Sequence, residues 1–394
     1  MSDWKKVKLG DISSAIQTGP FGSQLHQSDY SDIGVPVVMP KDIVNGCIDE
    51  STIARVEYHH VERLSRHKIS EGDIIYARRG DVGKCAYTVI TQQGWLCGTG
   101  CLRVTIDKEK ALPKFVFFQL QRRETIGWVE KHAIGATMLN LNTSILGDVP
   151  IELPPLSIQH RISTILSRYD SLIENYQKQI KLLEEAAQRL YKEWFVDLHF
   201  PGHENTKIID GVPEGWEKKK VTDILDVKYG KDHKQLKEGN VPVDGTGGVM
   251  RYVDCSLYTG ESVLIPRKGS LNNIMYVNET FWTIDTMFYS IPKIENAAKI
   301  VYFYLKGLDM YSMNIGAAVP SMTISILSGM GVLLPTNEIS LSFEGTITKY
   351  FDEIKNLSSQ IRLLTEARDR LLPKLMTGEI ELEGEKRPER PTIS

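Results

Sequence analysis

The sequence of 394 residues has no long hydrophobic run and little net charge. Its longest apolar stretches, such as Phe115 to Phe118, end within a few residues, which predicts no membrane-spanning segment. No apolar run follows the first residues either, so we expect no secretory signal and a cytoplasmic location. The formal net charge of −3 excludes a grossly polybasic chain. It still allows a local basic surface, because phosphate contacts depend on local charge.

Cysteine is scarce, and the five cysteines are odd in number and scattered along the chain. In a chain without a secretory signal, such cysteines are expected to be reduced thiols. Cys97 and Cys101 lie four residues apart, but no second Cys or His pair has the spacing of metal ligands. The sequence therefore predicts no metal site.

Catalytic motifs are also missing. The sequence contains no Gly-x4-Gly-Lys-Ser/Thr phosphate loop. Adenine methylation would call for an Asn/Asp-Pro-Pro-aromatic tetrapeptide, whereas the double proline Pro154-Pro155 is flanked by leucines. The carboxylates show no metal-nuclease spacing, and the glycine clusters at 98–100 and 245–248 lack the strand and helix of a cofactor loop. We therefore predict no catalytic residues and no cofactor on this chain.

Two long segments have the apolar periodicity of helices that pack along one side, with alternating steps of four and three residues. The first seam consists of Ile162, Leu166, Tyr169, Ile173, Tyr176, Ile180, Leu183, Ala187, Leu190 and Trp194. The second consists of Phe343, Ile347, Tyr350, Ile354, Leu357, Ile361, Leu364, Arg368, Leu371 and Leu375, each 181 residues after its counterpart. Only Arg368 interrupts the apolar pattern. We predict that the helices pack on each other; the alternative is that each packs on its own neighbouring domain.

An internal repeat organises the rest of the chain. The segment Trp4 to Ile12 recurs at Trp216 to Ile224, 212 residues later. Asp73 to Gly80 recurs at Ser262 to Gly269, and through the helices the offset is 181 residues. Short β-branched runs separated by Gly, Asn and Asp predict strands and turns in each half. The predicted order is domain, helix, domain, helix.

The predicted fold class is α+β: two similar mixed α/β domains separated by two long helices packed as an antiparallel coiled coil. The predicted segments are a first domain 1–155, a central helix 156–198, a linker 199–213, a second domain 214–336, a C-terminal helix 337–376 and a disordered tail 377–394. Such a chain has an approximate two-fold axis, as B-DNA does, and symmetric readers exploit that match. Because the two halves differ outside their framework, we expect an asymmetric, bipartite DNA site. The same symmetry predicts two copies of one partner subunit.

Four phrases carry a resemblance to a known family. They are Gly72 to Gly83, Gly135 to Asn142 with Leu153 to Leu156, Val241 to Gly248, and Arg267 to Thr286. Through them the sequence resembles, over nearly its whole length, the specificity (S) subunit of Type I restriction–modification enzymes. The resemblance implies two target recognition domains, each reading half of a split site on double-stranded DNA. It also implies two methyltransferase (M) subunits docked on the helices, restriction (R) subunits further out, and S-adenosylmethionine, ATP and Mg²⁺ on those partners.

One departure from the family's pattern affects the loop after each basic pair, which tends to read Arg-x-Gly-x-x-Gly. The first half keeps Gly80 and Gly83, but Asn272 takes the position of the last glycine in the second half. The backbone path of the second loop is therefore left open.

Basic loops that follow strands are the best candidates for DNA contact, because their side chains can extend past the sheet edge to phosphates or bases. The candidates in the first half are Gln24, His26, Lys41, Arg78, Arg79, Lys84, Asn140 and Asn142. Those in the second half are Lys231, His233, Lys234, Arg251, Arg267, Lys268 and Asn273. Solvated turns or salt bridges are the alternatives for the basic residues, and helix capping for the two asparagines. The alternative for the whole protein is a non-catalytic protein-interaction scaffold with a coiled-coil spacer.

Overall fold

The computed structural model describes residues 4–135, 139–314 and 321–380. Most of the predicted disordered tail, residues 381–394, lies outside the described residues. By their contacts the described residues form two compact units: those up to Asn175 together with those from Gln360 onward, and Tyr176–Ser359. Each unit therefore contains one globular half of the repeat and part of each long helix.

The described residues of the first globular half form two four-stranded sheets, with helices packed on them. The strands are β1 (Lys5–Lys8), β2 (Ser13–Thr18), β3 (Tyr30–Ser31), β4 (Val35–Val38), β5 (Ile43–Val44), β6 (Cys47–Ile48), β7 (Ala54–Val56), β8 (Ile74–Ala77), β9 (Cys85–Tyr87), β10 (Leu96–Cys97), β11 (Cys101–Ile106) and β12 (Pro150–Leu153). The helices are α1 (Tyr58–Arg63), α2 (Pro113–Leu120), α3 (Arg123–His132) and α4 (Thr143–Gly147). The sheet orders are β2-β11-β8-β9 and β10-β4-β7-β3, while β1 pairs antiparallel with β12. The first and last strands of this half thus lie side by side.

Helix α2 lies at the centre of the first core, because nearly all of its side chains are apolar. Phe115, Phe117 and Phe118 are each at most 2% exposed and share a core with residues of β8 and β11. Burial of each such ring contributes about 2 kcal/mol before the entropy cost of ordering it. The neighbouring helix α3 is instead rich in polar and charged residues.

The five cysteines are free thiols, as expected. Cys85, Cys97 and Cys101 are buried in the first half, whereas Cys47 and Cys255 are exposed. Burial raises the pKa of Cys85 and of Cys97 to about 12, which keeps both thiols protonated at neutral pH. These two residues therefore serve as small apolar side chains of the core.

The first long helix, α5 (Leu156–Tyr191), is extended by a π-helical turn, Lys192–Val196. It begins at Leu156, so Ser157 lies inside its first turn and is not the N-cap. Pro155 occupies the cap position, because its carbonyl oxygen accepts from the amides of Ile158 and Gln159, at 2.9 and 3.1 Å. Proline suits a helix start because the first amide groups of a helix have no intrahelical acceptor.

The segment 199–213 is more structured than the predicted linker. Phe200 is only 3% exposed and lies 4.7 Å, ring to ring, from Trp216. Two short strands, β13 (Ile208–Ile209) and β14 (Val212–Pro213), pair as a hairpin. The segment therefore belongs to the second unit, because burying an aromatic ring there removes more apolar surface from water than a free linker would.

The second globular half is built around a six-stranded sheet of described strands, in the order β16-β21-β19-β20-β17-β18. The strands of the second half are β15 (Glu217–Lys220), β16 (Leu225–Tyr229), β17 (Glu238–Gly245), β18 (Gly248–Val253), β19 (Tyr258–Pro266), β20 (Met275–Thr283), β21 (Met287–Pro292) and β22 (Gly331–Leu334). Its helices are α6 (Val221–Ile224), α7 (Ala298–Lys306) and α8 (Ile324–Gly329), and the long helix α9 (Asn337–Met376) follows. As in the first half, the first strand, β15, pairs antiparallel with the last, β22.

The two halves repeat one framework at the predicted offsets. Lys5 pairs with Leu153 in the first half, and Glu217 pairs with Leu334 in the second. Helix α7 stands where α2 stands, and Trp216, the counterpart of Trp4, is buried in the second core. The prediction of two repeated domains that mix helices and strands is confirmed.

The predicted seam residues of α5 and α9 are all buried or half-buried. In the unit that contains the first half, Leu371 and Leu375 of α9 contact the same core as Ile162 and Leu166 of α5. Arg368, the residue that interrupts the apolar pattern, forms an ion pair with an aspartate of α5, described below. In this unit the end of α9 therefore lies beside the start of α5.

In the unit that contains the second half, the opposite ends of the helices meet. The ring of Phe343, near the start of α9, lies 4.8 Å from Phe195 and 5.7 Å from Trp194 at the end of α5. Tyr191 adds a third ring to this cluster, 6.5 Å from Phe343. Aromatic pairs at such distances add about 0.5–1.5 kcal/mol each beyond their buried area.

Among the described residues, no helix is both long and apolar enough to cross a membrane.

A lysine near the start of α2 in the first half, and of α7 in the second, contacts a carboxylate of a long helix. In the first half, Lys114 lies 4.5 Å from the ring centroid of Tyr87 and 3.8 Å from the carboxylate of Asp170 on α5. Arg368 contacts the same carboxylate at 3.0 Å. Burial lowers the pKa of Lys114, and Asp170 opposes that shift. Asp170 therefore helps Lys114 to remain charged.

The second half has the equivalent contact at Lys299, with a different carboxylate. Its ammonium lies 4.9 Å from the ring of Tyr276, bonds to Glu344 of α9, and lies 3.4 Å from Glu261. The side chain of Lys299 is only 4% exposed. One oxygen of Glu344 is buried and has no hydrogen-bond partner among the described residues. The charge of Lys299 therefore offsets most of the cost of removing this carboxylate from water.

We predict that Lys299→Met lowers the free energy of unfolding by at most about 5 kcal/mol, because it leaves the half-buried carboxylates of Glu261 and Glu344 without a counter-charge. Lys299→Met combined with Glu344→Leu should cost less than Lys299→Met alone, since an apolar pair can replace a buried ion pair. Urea denaturation of both variants measures the difference. A double variant less stable than the single variant would contradict this account of the ion pair.

Candidate nucleic-acid interface

In each half, one strand of the main sheet leads directly into a basic loop with the same backbone bonds. Arg78 follows β8, and Arg267 follows β19. The amide of Arg78 donates to the carbonyl oxygen of Gly100, and the amide of Arg267 donates to that of Thr286, both at 2.8 Å. The two arginines therefore begin from equivalent backbone positions.

The carbonyl oxygens of the two arginines are held in the same way. They accept from the amides of Leu141 and Met322, at 2.8 and 2.9 Å. The next residues, Asn142 and Thr323, are the N-caps of α4 and α8, accepting from Ile145 and Ile326. Asn142 is therefore a capping residue, the alternative that the sequence left open. Asn142 is exposed, and its predicted contact with DNA stays a prediction.

The turn that follows each arginine is also the same. Gly80 and Gly269 have φ values of 75° and 79°, a conformation that favours glycine. In each loop a backbone bond returns to that glycine, from Val82 at 3.1 Å and from Leu271 at 2.9 Å. The backbone path that Asn272 left open is therefore conserved between the halves.

Asn272 keeps that path with side-chain bonds of its own. Its amide oxygen accepts from the backbone nitrogen of Met310 at 2.8 Å, and its amide nitrogen donates to Asp309 at 3.2 Å. At the matching position, a Cβ added to Gly83 would lie 2.6 Å from Ile126. In the first half, Ile126 of α3 thus favours glycine at this position. The second half has room for the Asn272 side chain, whose hydrogen bonds hold the loop in place.

Each arginine side chain lies over an aromatic ring. The guanidinium carbon of Arg78 is 5.8 Å from the centroid of Phe21. That of Arg267 is 4.5 Å from Tyr229, and its Nη1 donates to the carbonyl oxygen of Asp285 at 2.6 Å. Cation–π contacts of this kind contribute about 0.5–2 kcal/mol and fix the plane of the guanidinium. Phe21 and Tyr229 are nevertheless about half exposed, at 54% and 52%.

The sequence did not single out Phe21 or Tyr229. Each stands next to a glycine in a polar loop or at a strand end, and that was the signal available. The aromatic residue comes from a different point of the framework in each half, so the repeat offsets could not reveal the pair. The tertiary structure alone brings each ring to its arginine.

The other predicted residues of the two basic loops differ in how free they are. Arg79 and Lys268 are exposed. Lys84 pairs with Asp81 at 3.0 Å, an exposed pair worth at most about 1 kcal/mol. Asn140 forms a β-bridge with Arg79, and its side-chain oxygen is buried without a hydrogen-bond partner among the described residues.

The three remaining candidates of the first half have local structural contacts. The side-chain oxygen of Gln24 accepts from the amide of Phe21 at 3.0 Å, which holds the loop that carries the ring below Arg78. Lys41 donates to the carbonyl oxygen of Thr52 at 3.2 Å. His26 is exposed, and its amide bonds to Asp29. Of these candidates, the structure brings only Gln24 close to the Arg78 stack.

The second basic cluster lies at the end of β16, beyond Tyr229. Lys231 and Lys234 are exposed, and the carbonyl oxygen of Lys231 accepts from the indole of Trp282 at 3.0 Å. Arg251, on β18, donates to the carbonyl oxygen of Leu236 at 2.7 Å, and the Nδ1 atom of His233 is buried without a hydrogen-bond partner among the described residues. The cluster is thus fixed by backbone and ring contacts that leave both lysine ammonium groups in solvent.

The hairpin of β17 and β18 joins this cluster to the Arg267 loop. Asn273 donates from its side chain to the carbonyl oxygen of Thr246, in the hairpin turn, at 2.7 Å. Beyond the turn, Val249, Met250 and Tyr252 are exposed by 53%, 58% and 51%. The sequence did not single out these apolar residues, because alternation along a strand does not show which face meets solvent.

The comparison with protein families decides how this arrangement is to be interpreted. The model of a family described as Type I restriction modification DNA specificity domain matches residues 1–185 and 213–366. The chain belongs to this family. The two matches begin 212 residues apart, which is the offset at which the first strand repeats. The prediction that the chain is a DNA sequence-recognition subunit of a Type I restriction–modification system is confirmed.

Individual relatives agree with the family assignment. The MjaIX specificity subunit of Methanocaldococcus jannaschii is 26% identical, over 97% of this chain and 94% of that protein. The HindI specificity subunit of Haemophilus influenzae is 21% identical, over 96% of this chain and all of that protein. The crystal structure of an S subunit from M. genitalium matches with a TM-score of 0.60 and 19% identity, over 95% of this chain and 96% of that one. The last likeness shows the shared fold.

Asp244, in β17 just before the hairpin turn, is a buried carboxyl group at the edge of this interface. It is 5% exposed, and burial, with a smaller contribution from Glu279, raises its pKa to about 6. The folded state therefore resists ionisation of this group. The stability that the protonated form contributes is complete below the unfolded pKa near 4 and is lost as the pH rises through 6.

We predict that Asp244→Asn stabilises the protein at pH 7.5, by at most about 3 kcal/mol, because asparagine does not ionise. The advantage should decrease as the pH is lowered from 6 toward 4. Thermal unfolding at several pH values measures it, with Asp226→Asn, an exposed site in the same unit, as the control. An advantage independent of pH would contradict the assigned cause.

Proposed function

We propose that the chain reads an asymmetric, bipartite site on double-stranded DNA, with one globular half for each half-site. The observation that supports this most directly is the pair of equivalent arginine loops, at Arg78 and Arg267. A framework that repeats, with surroundings that differ, suits two similar docking modes on two different sequences. The loop at Phe21 adjoins the first arginine, and the hairpin of β17 and β18 adjoins the second.

We propose that the hairpin is a base-reading element of the second half. It combines exposed apolar side chains at Val249 and Met250 with the basic residues Lys231 and Arg251. Apolar side chains recognise thymine methyl groups, and a two-stranded ribbon fits the major groove. The exposed Arg79 and Lys268 are candidates for neighbouring phosphate or base contacts, and Lys84, His26 and Lys234 for further contacts at the rim.

The long helices are proposed to form an antiparallel coiled coil. The contacts within each unit support this: the end of α9 lies beside the start of α5 in one, and the start of α9 lies beside the end of α5 in the other. The helices are also the proposed docking surface for two methyltransferase subunits. Leu182 and Leu363 occupy equivalent positions of the two helices and are 63% and 56% exposed. Two equivalent apolar positions suit two copies of one partner.

The chemistry is proposed to belong to the partners. The sequence carries no phosphate loop and no adenine-methyltransferase tetrapeptide. In the described residues, no three His, Cys, Asp or Glu side chains are grouped closely enough to hold a metal ion. S-adenosylmethionine would then bind the methyltransferase subunits, and ATP and Mg²⁺ would serve the restriction subunits where these join the complex.

The recognition mode is tested by co-expression with the methyltransferase partner and sequencing of methylated adenines in host DNA. We expect a single motif of two short, different sequences with a fixed gap. Replacing residues 214–336 by the matching segment of another family member should change one half of the motif only. A stable complex that methylates no specific sequence would instead support the protein-interaction scaffold.

The docking surface makes a separate prediction. Leu182→Asp should reduce the number of bound methyltransferase subunits from two to one, and Leu363→Asp should do the same, because a charge in an apolar contact is costly to desolvate. Native mass spectrometry of the complex gives the stoichiometry. Leu341→Asp is the control, since this exposed leucine of α9 has a histidine as its counterpart on α5. Two subunits still bound to both test variants would exclude this surface.

A further inference from the structure

The two arginines have the same backbone environment, and each lies over an aromatic ring, in halves whose other surface residues differ. Arg78 and Arg267 share the backbone bonds before and after them, the glycine turn that follows, and the aromatic support beneath the guanidinium. Residues that read different bases in two half-sites would be expected to differ between the halves. A contact that is common to any two stretches of duplex DNA would be the same in both, and the phosphate backbone is that common feature.

The donors of the two arginines also bear on the choice between bases and phosphates. An arginine that recognises a guanine uses two donors in parallel. In both Arg78 and Arg267 the Nε atom is buried and has no hydrogen-bond partner among the described residues. The side-on fork, which uses Nε with one amino group, is therefore closed in both halves. In Arg267 the Nη1 atom is already bonded to the carbonyl oxygen of Asp285.

The stacks make a single-donor contact efficient. Because the ring beneath holds the guanidinium plane, less side-chain entropy is lost when a phosphate oxygen binds. A charge-assisted bond from one amino group to a phosphate oxygen needs no second donor. The half-exposed rings of Phe21 and Tyr229 leave the rim of each stack accessible to a ligand.

We propose that Arg78 and Arg267 are equivalent phosphate contacts, one for each half-site, which set the affinity for DNA of any sequence and do not select bases. This inference rests on the proposed function. Base selection then belongs to the segments that differ between the halves, which are the loop around Phe21 and the hairpin of β17 and β18.

The test uses the complex of the full chain with its methyltransferase partner. Arg78→Gln and Arg267→Gln should each weaken binding to specific and to unrelated duplexes by the same factor. Each should also make the plot of log K against log salt concentration shallower by about 0.9, the value for one lost phosphate contact. The methylated motif should stay unchanged in both halves.

Matched controls come from the same framework. Lys108 and Lys293 are exposed lysines just after the last residues of β11 and β21. The residues just before these strands, Gly100 and Thr286, accept from the backbone amides of the two arginines. Lys108→Gln and Lys293→Gln remove the same charge and should leave the salt slope unchanged. Arg78→Lys and Arg267→Lys keep the charge, so they should retain most of the slope and guard against a folding defect in the glutamine variants.

The results of these experiments distinguish a phosphate contact from a base contact and from no contact with DNA. A motif that becomes degenerate at one position of one half-site would overturn the proposal, since the arginine would then be a base reader. Unchanged affinity and slope in a folded variant would also overturn it. If the unaltered complex itself fails to prefer a split site, the proposed function fails, whatever the variants do.

Discussion

The pairing of the first strand of each half with its last strand is the constraint on which the rest depends. β1 pairs with β12, and β15 pairs with β22, so each half closes on itself immediately before a long helix begins. In the first half a double proline follows the last strand, and its carbonyl oxygen starts α5. Each long helix thus starts three residues after the last strand of its half. Lys114 and the buried Lys299 then hold each half against a helix through a carboxylate.

Several cations of this protein act through local contacts with aromatic rings and acceptors. The ammonium of Lys299 is buried among carboxylates and aromatic rings, where removal of either partner leaves an uncompensated charge. The guanidinium groups of Arg78 and Arg267 lie over rings at the surface, where the proposed phosphate contacts would add to their hydrogen bonds. A cation over a ring therefore occurs both in the interior and at the surface of this protein.

Repetition explains which features of the interface are shared and which are specific. The strand, the arginine, the positive-φ glycine and the capped helix recur at fixed offsets, because all of them belong to the backbone framework. The replacement of Gly83 by Asn272 shows how the framework tolerates change, since side-chain bonds to Asp309 and Met310 keep the loop in place. Segments outside the framework, such as the hairpin with Met250, are free to differ in length and composition.

The sequence by itself determined the two-part organisation, the helices, the basic loops and the family, because each depends on residue spacing along the chain. Periods of three and four residues and constant offsets need no knowledge of distant contacts. Only the tertiary structure decided that Phe21 and Tyr229 lie under the arginines, that Phe200 is buried, and that Asn142 is a helix cap. These facts depend on contacts between residues far apart in the chain or on the exact start of a helix. Burial of apolar surface and satisfaction of backbone groups select such contacts, and neither is visible in local patterns.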